Sequence, residues 1–146
     1  MGVQRQAMNR IFFYGLFMDA QLLRAQGYHP TLVGPAELPG FQIRIGERAS
    51  LIPSPGATSF GMLMDLTDEE ATGLYSAPDV RDYHPQEVHA MLLDDRSSHA
   101  CLCYNLPAGK LGAGTNPGYA ERLAALVLGL GFPAAYASEI ASQGEP

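Results

Sequence analysis

Two stretches of the chain carry residue types that can do chemistry. Leu74 to Pro85 (Leu-Tyr-Ser-Ala-Pro-Asp-Val-Arg-Asp-Tyr-His-Pro) gathers Asp79, Asp82, Arg81, His84, Tyr75 and Tyr83 between a helical and an extended pattern. A carboxylate there suits general acid–base work, and short polar connections at strand ends often line pockets. The plain alternative is an exposed loop with Asp82 paired to Arg81 or to water; the residues alone weigh the two evenly. The second stretch is Arg10 to Asp19, in which the β-branched and aromatic run Ile11-Phe12-Phe13-Tyr14 meets Gly15 and then Asp19, a helix N-cap. A strand, a tight glycine turn and a helix can aim several backbone N–H groups at one anion or developing oxyanion. Glycine lets the backbone approach a ligand with no Cβ in the way. An ordinary strand-to-helix turn is the commoner outcome of that pattern.

Other chemistries find less support. His84 and His89 fall on opposite faces of a strand by parity, so no metal site is expected. Cys101 and Cys103 share one strand face two residues apart, too constrained for an ordinary disulfide; they read as small apolar filler. There is no Gly-x-Ser-x-Gly elbow and no phosphate-binding P-loop.

The elements that must position these groups follow from the whole chain. At 146 residues, with 47% hydrophobic and 16% charged residues, one domain with a real core is expected. The formal net charge of -6, with Lys110 the only lysine, argues against a nucleic-acid partner. The longest apolar run, Leu123 to Leu130, is far short of the ~20 residues of a spanning helix. Met1 to Asn9 is polar and unlike a secretory signal. It reads as a loose leader with Met8 as an alternative start, the domain as 10–146, and the setting as cytoplasmic.

In chain order, Asp19 caps a helix over Ala20 to Gln26 that stops at Gly27. Thr31 to Pro35 is extended, Pro39-Gly40 a turn, Phe41 to Ile45 a half-buried strand and Ala49 to Ile52 a short one. Pro53 to Gly56 reads as a turn, and Ser59 to Leu66 as a buried strand whose glycine marks a close approach. Thr67 and Glu70 have capping-box spacing for a helix ending near Tyr75. Gln86 to Asp94 and His99 to Leu106 form a hairpin about Asp94 to Ser97, followed by a glycine-rich loop from Pro107 to Thr115. Asn116 and Pro117 start a helix carrying Leu123, Leu126, Val127 and Leu130 on one face, and a short helix covers Ala134 to Ala141. Strands first, with helices around them, give an α+β fold with a small, mostly antiparallel sheet or barrel.

These pieces resemble, in order, those of the gamma-glutamylcyclotransferase-like superfamily, which includes the AIG2-like proteins. Tyr14-Gly15-Leu16-Phe17 resembles its Tyr-Gly-x-Leu opening, Phe60-Gly61-Met62-Leu63 its glycine-containing strand, and Leu74 to Val88 its Leu-Asp-x-x-Glu-Gly-x-x-Tyr segment. Cys103-Tyr104-Asn105 is similar to its late tyrosine strand, and Asn116 to Tyr119 to its Pro-Ser-x-x-Tyr helix start. The resemblance implies a small mixed, mostly antiparallel β-barrel with flanking helices and a pocket roofed by the Tyr14 to Phe17 loop. The implied reaction is cyclisation of a γ-glutamyl amine or amino acid to 5-oxoproline, with release of the amine and no metal or organic cofactor. It assigns Asp79 as acid/base, Gly15, Leu16 and Phe17 as anion-holding backbone, and Tyr14, Tyr83, Tyr104 and Tyr119 as groups lining the substrate pocket.

The chain departs from the family where a glutamate would precede Tyr83. The nearest match is Asp79, one methylene shorter and following Pro78, with Asp82 and Glu87 as fallbacks; Glu87 would have to point into the barrel. A shift of about 1 Å in a catalytic group can cost ~100-fold. Leu16 and Phe17 suggest a more apolar mouth than the family's. The alternative function is a non-catalytic module of the same fold that binds a small carboxylate or forms a homodimer. The Gly109 to Gly114 loop is a candidate lid.

Overall fold

The computed structural model describes residues 8–107 and 109–144. Five strands close into a barrel in the order β1-β3-β2-β4-β5. They are β1 (Met8–Phe13), β2 (Thr31–Ile45), β3 (Ala49–Thr67), β4 (His84–Leu92) and β5 (Ser98–Asn105). All ladders are antiparallel except the closing one, where β1 and β5 run parallel through Ile11 and Leu102. Helices α1 (Ala20–Ala25), α2 (Asp68–Leu74), α3 (Pro117–Gly129) and α4 (Ala134–Ser142) flank the barrel. The expected α+β barrel with flanking helices is therefore what the chain forms.

Local signals set the helix starts. The Asp19 carboxylate accepts the Gln21 N–H at 3.0 Å, and Asn116 Oδ1 accepts that of Tyr119 at 3.2 Å, with Pro117 in the first turn. The Thr67–Glu70 capping box is complete, each side chain bonded to the other residue's N–H at 3.1 Å. A short 3-10 turn over Leu16–Met18, not foreseen from sequence, joins β1 to α1.

Three expectations differ. Pro39-Gly40 and Pro53 to Gly56 are not chain reversals: β2 and β3 run through them as single long strands. Their pairing extends from Thr31 opposite Asp65 to Ile45 opposite Ala49, with a register shift between Pro39 and Phe41. Gly40 at φ +84° and Gly56 at φ +84° absorb the irregularity as bulges, and the real reversal is Gly46-Glu47-Arg48. Second, β1 begins at Met8, pairing with Thr67, two residues before Arg10, where the domain was expected to start; residues 1–7 lie outside the described residues, as does Ala108 in the predicted glycine-rich loop. Third, Glu87 does not point inward. Val88 and Ala90 fill the barrel side of β4, which by strand alternation leaves Glu87 exposed outside.

Both faces of β1 and β3 are covered: the neighbours Ile11 and Phe12, and Leu63 and Met64, are all fully buried, as is Leu66. Cys101 and Cys103 are buried free thiols on one face of β5, the filler role expected of them. Leu123 and Val127 of α3 and Tyr136 and Ile140 of α4 form the outer layer. At Gly61 an added Cβ would lie 2.3 Å from the Phe13 carbonyl oxygen, the close approach expected of that glycine. Among the described residues no helix is long and apolar enough to cross a membrane.

Candidate functional site

Because β1 and β5 run parallel, their C-terminal ends lie side by side. The Tyr14 hydroxyl locks them together by donating to the Tyr104 carbonyl at 2.7 Å. The chain leaves β1 through Gly15 into the 3-10 turn, in which Met18 N–H bonds Gly15 O at 2.9 Å and Asp19 N–H bonds Leu16 O at 3.1 Å. Such a turn leaves its first N–H groups, those of Leu16 and Phe17, without an acceptor inside the turn. Behind it stands α3, whose Tyr119 hydroxyl lies so near that a Cβ on residue 15 would be 2.7 Å away.

The segment between α2 and β4 supplies the opposite wall. Tyr83 donates its hydroxyl to the Ala49 carbonyl at 2.6 Å. Arg48 lies over the Tyr83 ring at 5.1 Å, donates to Asp82 Oδ2 at 3.1 Å and to the Asp79 carbonyl at 2.7 Å. The Tyr75 ring stacks on Tyr104 with centroids 3.8 Å apart, and Phe17 meets Tyr75 edge-on at 6.0 Å.

Together these elements line a half-open cavity of about 580 Å³. Tyr14, Gly15, Leu16, Phe17, Asp79, Tyr83, Tyr104 and Tyr119, the residues nominated from sequence, all line it. They come from four segments far apart in the chain. Burial pushes the Tyr14 and Tyr75 phenols well up from their usual range, and it raises Tyr119 despite the Leu16 backbone N–H beside its oxygen. Those rings stay neutral at ordinary pH. The fallback carboxylates lie elsewhere: Asp82 is paired to Arg48, and Glu87 lies on the outer surface of β4.

Sequence reasoning missed Glu47, Arg48 and Asn116 as cavity residues and did not nominate Tyr75. Glu47 and Arg48 occupy the β2–β3 reversal, and a glycine-rich segment packs directly on it. Arg48 N–H bonds Leu111 O at 3.0 Å and Asn116 Nδ2 bonds Glu47 O at 3.1 Å. A Cβ at Gly46 would lie 2.7 Å from the Gly112 oxygen, and Gly112, at φ +86°, faces the Glu47 side chain. No local motif in the sequence marks Glu47 or Arg48; only the packing of Gly46 on Leu111 and Gly112 brings them to the cavity.

The fold matches solved structures closely. A gamma-glutamyl cyclotransferase superposes with a TM-score of 0.76 at 16% identity, over 96% of this chain and 89% of that one. An uncharacterised protein from Homo sapiens does so with a TM-score of 0.76 at 17% identity, over 95% and 89%. An AIG2-like protein from Mus musculus gives 0.57 at 18% identity, over 75% and 96%. No family model matches the chain, and no curated protein matches it in sequence. At these identities the likeness is one of fold. The chain has the gamma-glutamylcyclotransferase-like fold that its motifs resemble.

Proposed function

We propose that the protein cyclises a γ-glutamyl amide to 5-oxoproline and releases the amine. The observation that carries this reading is the convergence of the Tyr14 to Phe17 turn, Asp79, Tyr83, Tyr104 and Tyr119 on one cavity. The solved neighbours include a protein named as a gamma-glutamyl cyclotransferase, which supports the same reading.

In the reaction the substrate's α-nitrogen attacks its own side-chain amide carbon. The new C–N bond closes the lactam and the old one breaks. The attacking ammonium gives up two protons in all, and both end on the released amine, which leaves as an ammonium. Asp79, the acid/base in this scheme, takes a proton from the attacking nitrogen and returns it to the leaving one. Backbone N–H groups of the Gly15 to Phe17 turn hold the substrate carboxylate or the oxyanion, with the Leu16 N–H shared with the Tyr119 oxygen beside it. Arg48 positions Asp79 by gripping its backbone carbonyl.

One observation favours a second reading, a binding protein without turnover. Asp79 is exposed at the cavity mouth, and the inner wall is aromatic rather than acidic. The deciding experiment is 5-oxoproline release from a panel of γ-glutamyl amines and dipeptides. Release that disappears in Asp79→Asn, with the fold intact, establishes the cyclotransferase. No release, with a thermal shift from γ-glutamyl ligands or 5-oxoproline, establishes the binding protein.

A further inference from the structure

Volume sets the first constraint on what enters the cavity. At about 580 Å³ it lies within the roughly 300–1,000 Å³ that houses drug-sized ligands, far more than a glutamyl group fills. That leaves room for a substantial leaving group.

The walls define its character. The Tyr14 and Tyr83 hydroxyls are spent on the carbonyls of Tyr104 and Ala49, and the Tyr119 hydroxyl is turned to the Gly15 backbone. These residues therefore offer the cavity their rings and not their polar ends. The stacked pair Tyr75–Tyr104 and the edge of Phe17 continue the aromatic lining, which Leu22 and Val80 extend with aliphatic surface. A planar ring meets such walls by stacking or edge-on contact.

The charges at the mouth exclude a second anion. Among the described residues lining the cavity, the charged side chains are Glu47, Asp79 and Arg48. The Arg48 guanidinium is already engaged by Asp82 Oδ2 at 3.1 Å and the Asp79 carbonyl at 2.7 Å. The Glu47 and Asp79 carboxylates thus outnumber it, and a carboxylate on the leaving group would be repelled.

We infer that the leaving amine is an arylalkylamine, bearing an aromatic ring and no carboxylate, so that the substrate is a γ-glutamyl arylalkylamide and not a γ-glutamyl amino acid. This rests on the cyclotransferase reading above for its reaction, but the ligand preference can be read without turnover.

The test compares γ-glutamyl-phenethylamide, γ-glutamyl-ethylamide and γ-glutamylphenylalanine. Initial rates of 5-oxoproline release and thermal shifts on binding are both measured on the parent protein, which keeps Glu47 and Asp79. The phenethylamide is expected to exceed each of the other two by roughly tenfold or more in kcat/KM and in affinity. Phe17→Ala should bring it close to the ethylamide, while Phe17→Leu, which keeps most of the volume, controls for folding. Glu47→Gln should improve γ-glutamylphenylalanine relative to the phenethylamide. Equal or better use of the ethylamide or of γ-glutamylphenylalanine overturns the inference while leaving the cyclotransferase standing. The expected binding order without any release supports the inference and removes the cyclotransferase. Absence of both binding and release removes both.

Discussion

The Tyr119 hydroxyl rests against the Gly15 backbone, with only 2.7 Å between it and the place a Cβ on residue 15 would take. This contact sets the back of the turn that lines the cavity. Gly15 has φ -102°, so alanine is not excluded by backbone conformation, and the conflict is with the tip of one side chain. Gly15→Ala should therefore lower 5-oxoproline release at least tenfold, and Tyr119→Phe in the same chain should recover part of that loss. A double-mutant cycle in kcat/KM reads the coupling. Strict additivity would show that the two residues do not act through each other.

Arg48 is expected to matter more for activity than for stability. Its partner Asp82 is half exposed, and such ion pairs contribute about 0–1 kcal/mol. Arg48→Met should shift the urea midpoint little yet cut kcat/KM roughly tenfold, because the Asp79 carbonyl loses its anchor. Arg48→Lys should recover little of that loss, since an ammonium cannot reproduce the fork of donors that holds both residues.

Gly61 offers the opposite case. An added Cβ would meet the Phe13 carbonyl at 2.3 Å and the Phe12 ring at 2.8 Å, and backbone cannot move aside as a side-chain tip can. Gly61→Ala should cost about 1–3 kcal/mol, the usual range for overpacking, measured by urea unfolding. A change within a few tenths would mean that β1 shifts freely against β3.

Glu70 should make folding sensitive to acid. Burial alone would raise its carboxyl, but the His29 and Thr67 N–H groups and the Thr67 hydroxyl outweigh that and hold it below its ordinary value. A depressed folded pKa contributes stability that is complete above the unfolded value, ~4.3, and is lost as pH falls through the folded one. The stability difference between the parent and Glu70→Gln should hold steady above about pH 5.5 and shrink toward pH 3. At neutral pH it should be about 0.5–1 kcal/mol, the scale of a charge at a helix start. A gap that widens toward pH 3 would contradict the assigned hydrogen bonds.

Much of this was written in short-range chemistry. Asp19, the Thr67–Glu70 box and Asn116 were legible because a cap is settled within four residues of itself. The inward face of β4 at Val88 and Ala90 followed from alternation. The resemblance of the tyrosine and glycine motifs to those of a known family nominated residues that lie around one cavity.

Where the chain reverses was decided only in three dimensions. Proline and glycine at 39–40 and 53–56 obey local turn rules, yet β2 and β3 pair through both sites and take up the extra residues as bulges. Long-range ladder bonds and the burial of Ile43, Leu51 and Leu63 outweigh local turn preference there. That choice places the reversal at Gly46-Glu47-Arg48 and brings two charged side chains with no motif of their own to the cavity mouth. The amino-acid sequence by itself determined the strand faces, the helix caps and the glycine turn, because each depends on near neighbours. Closure of the barrel decided which distant groups meet, because only the paired strands bring residues 14, 48, 79, 104 and 119 to the same space.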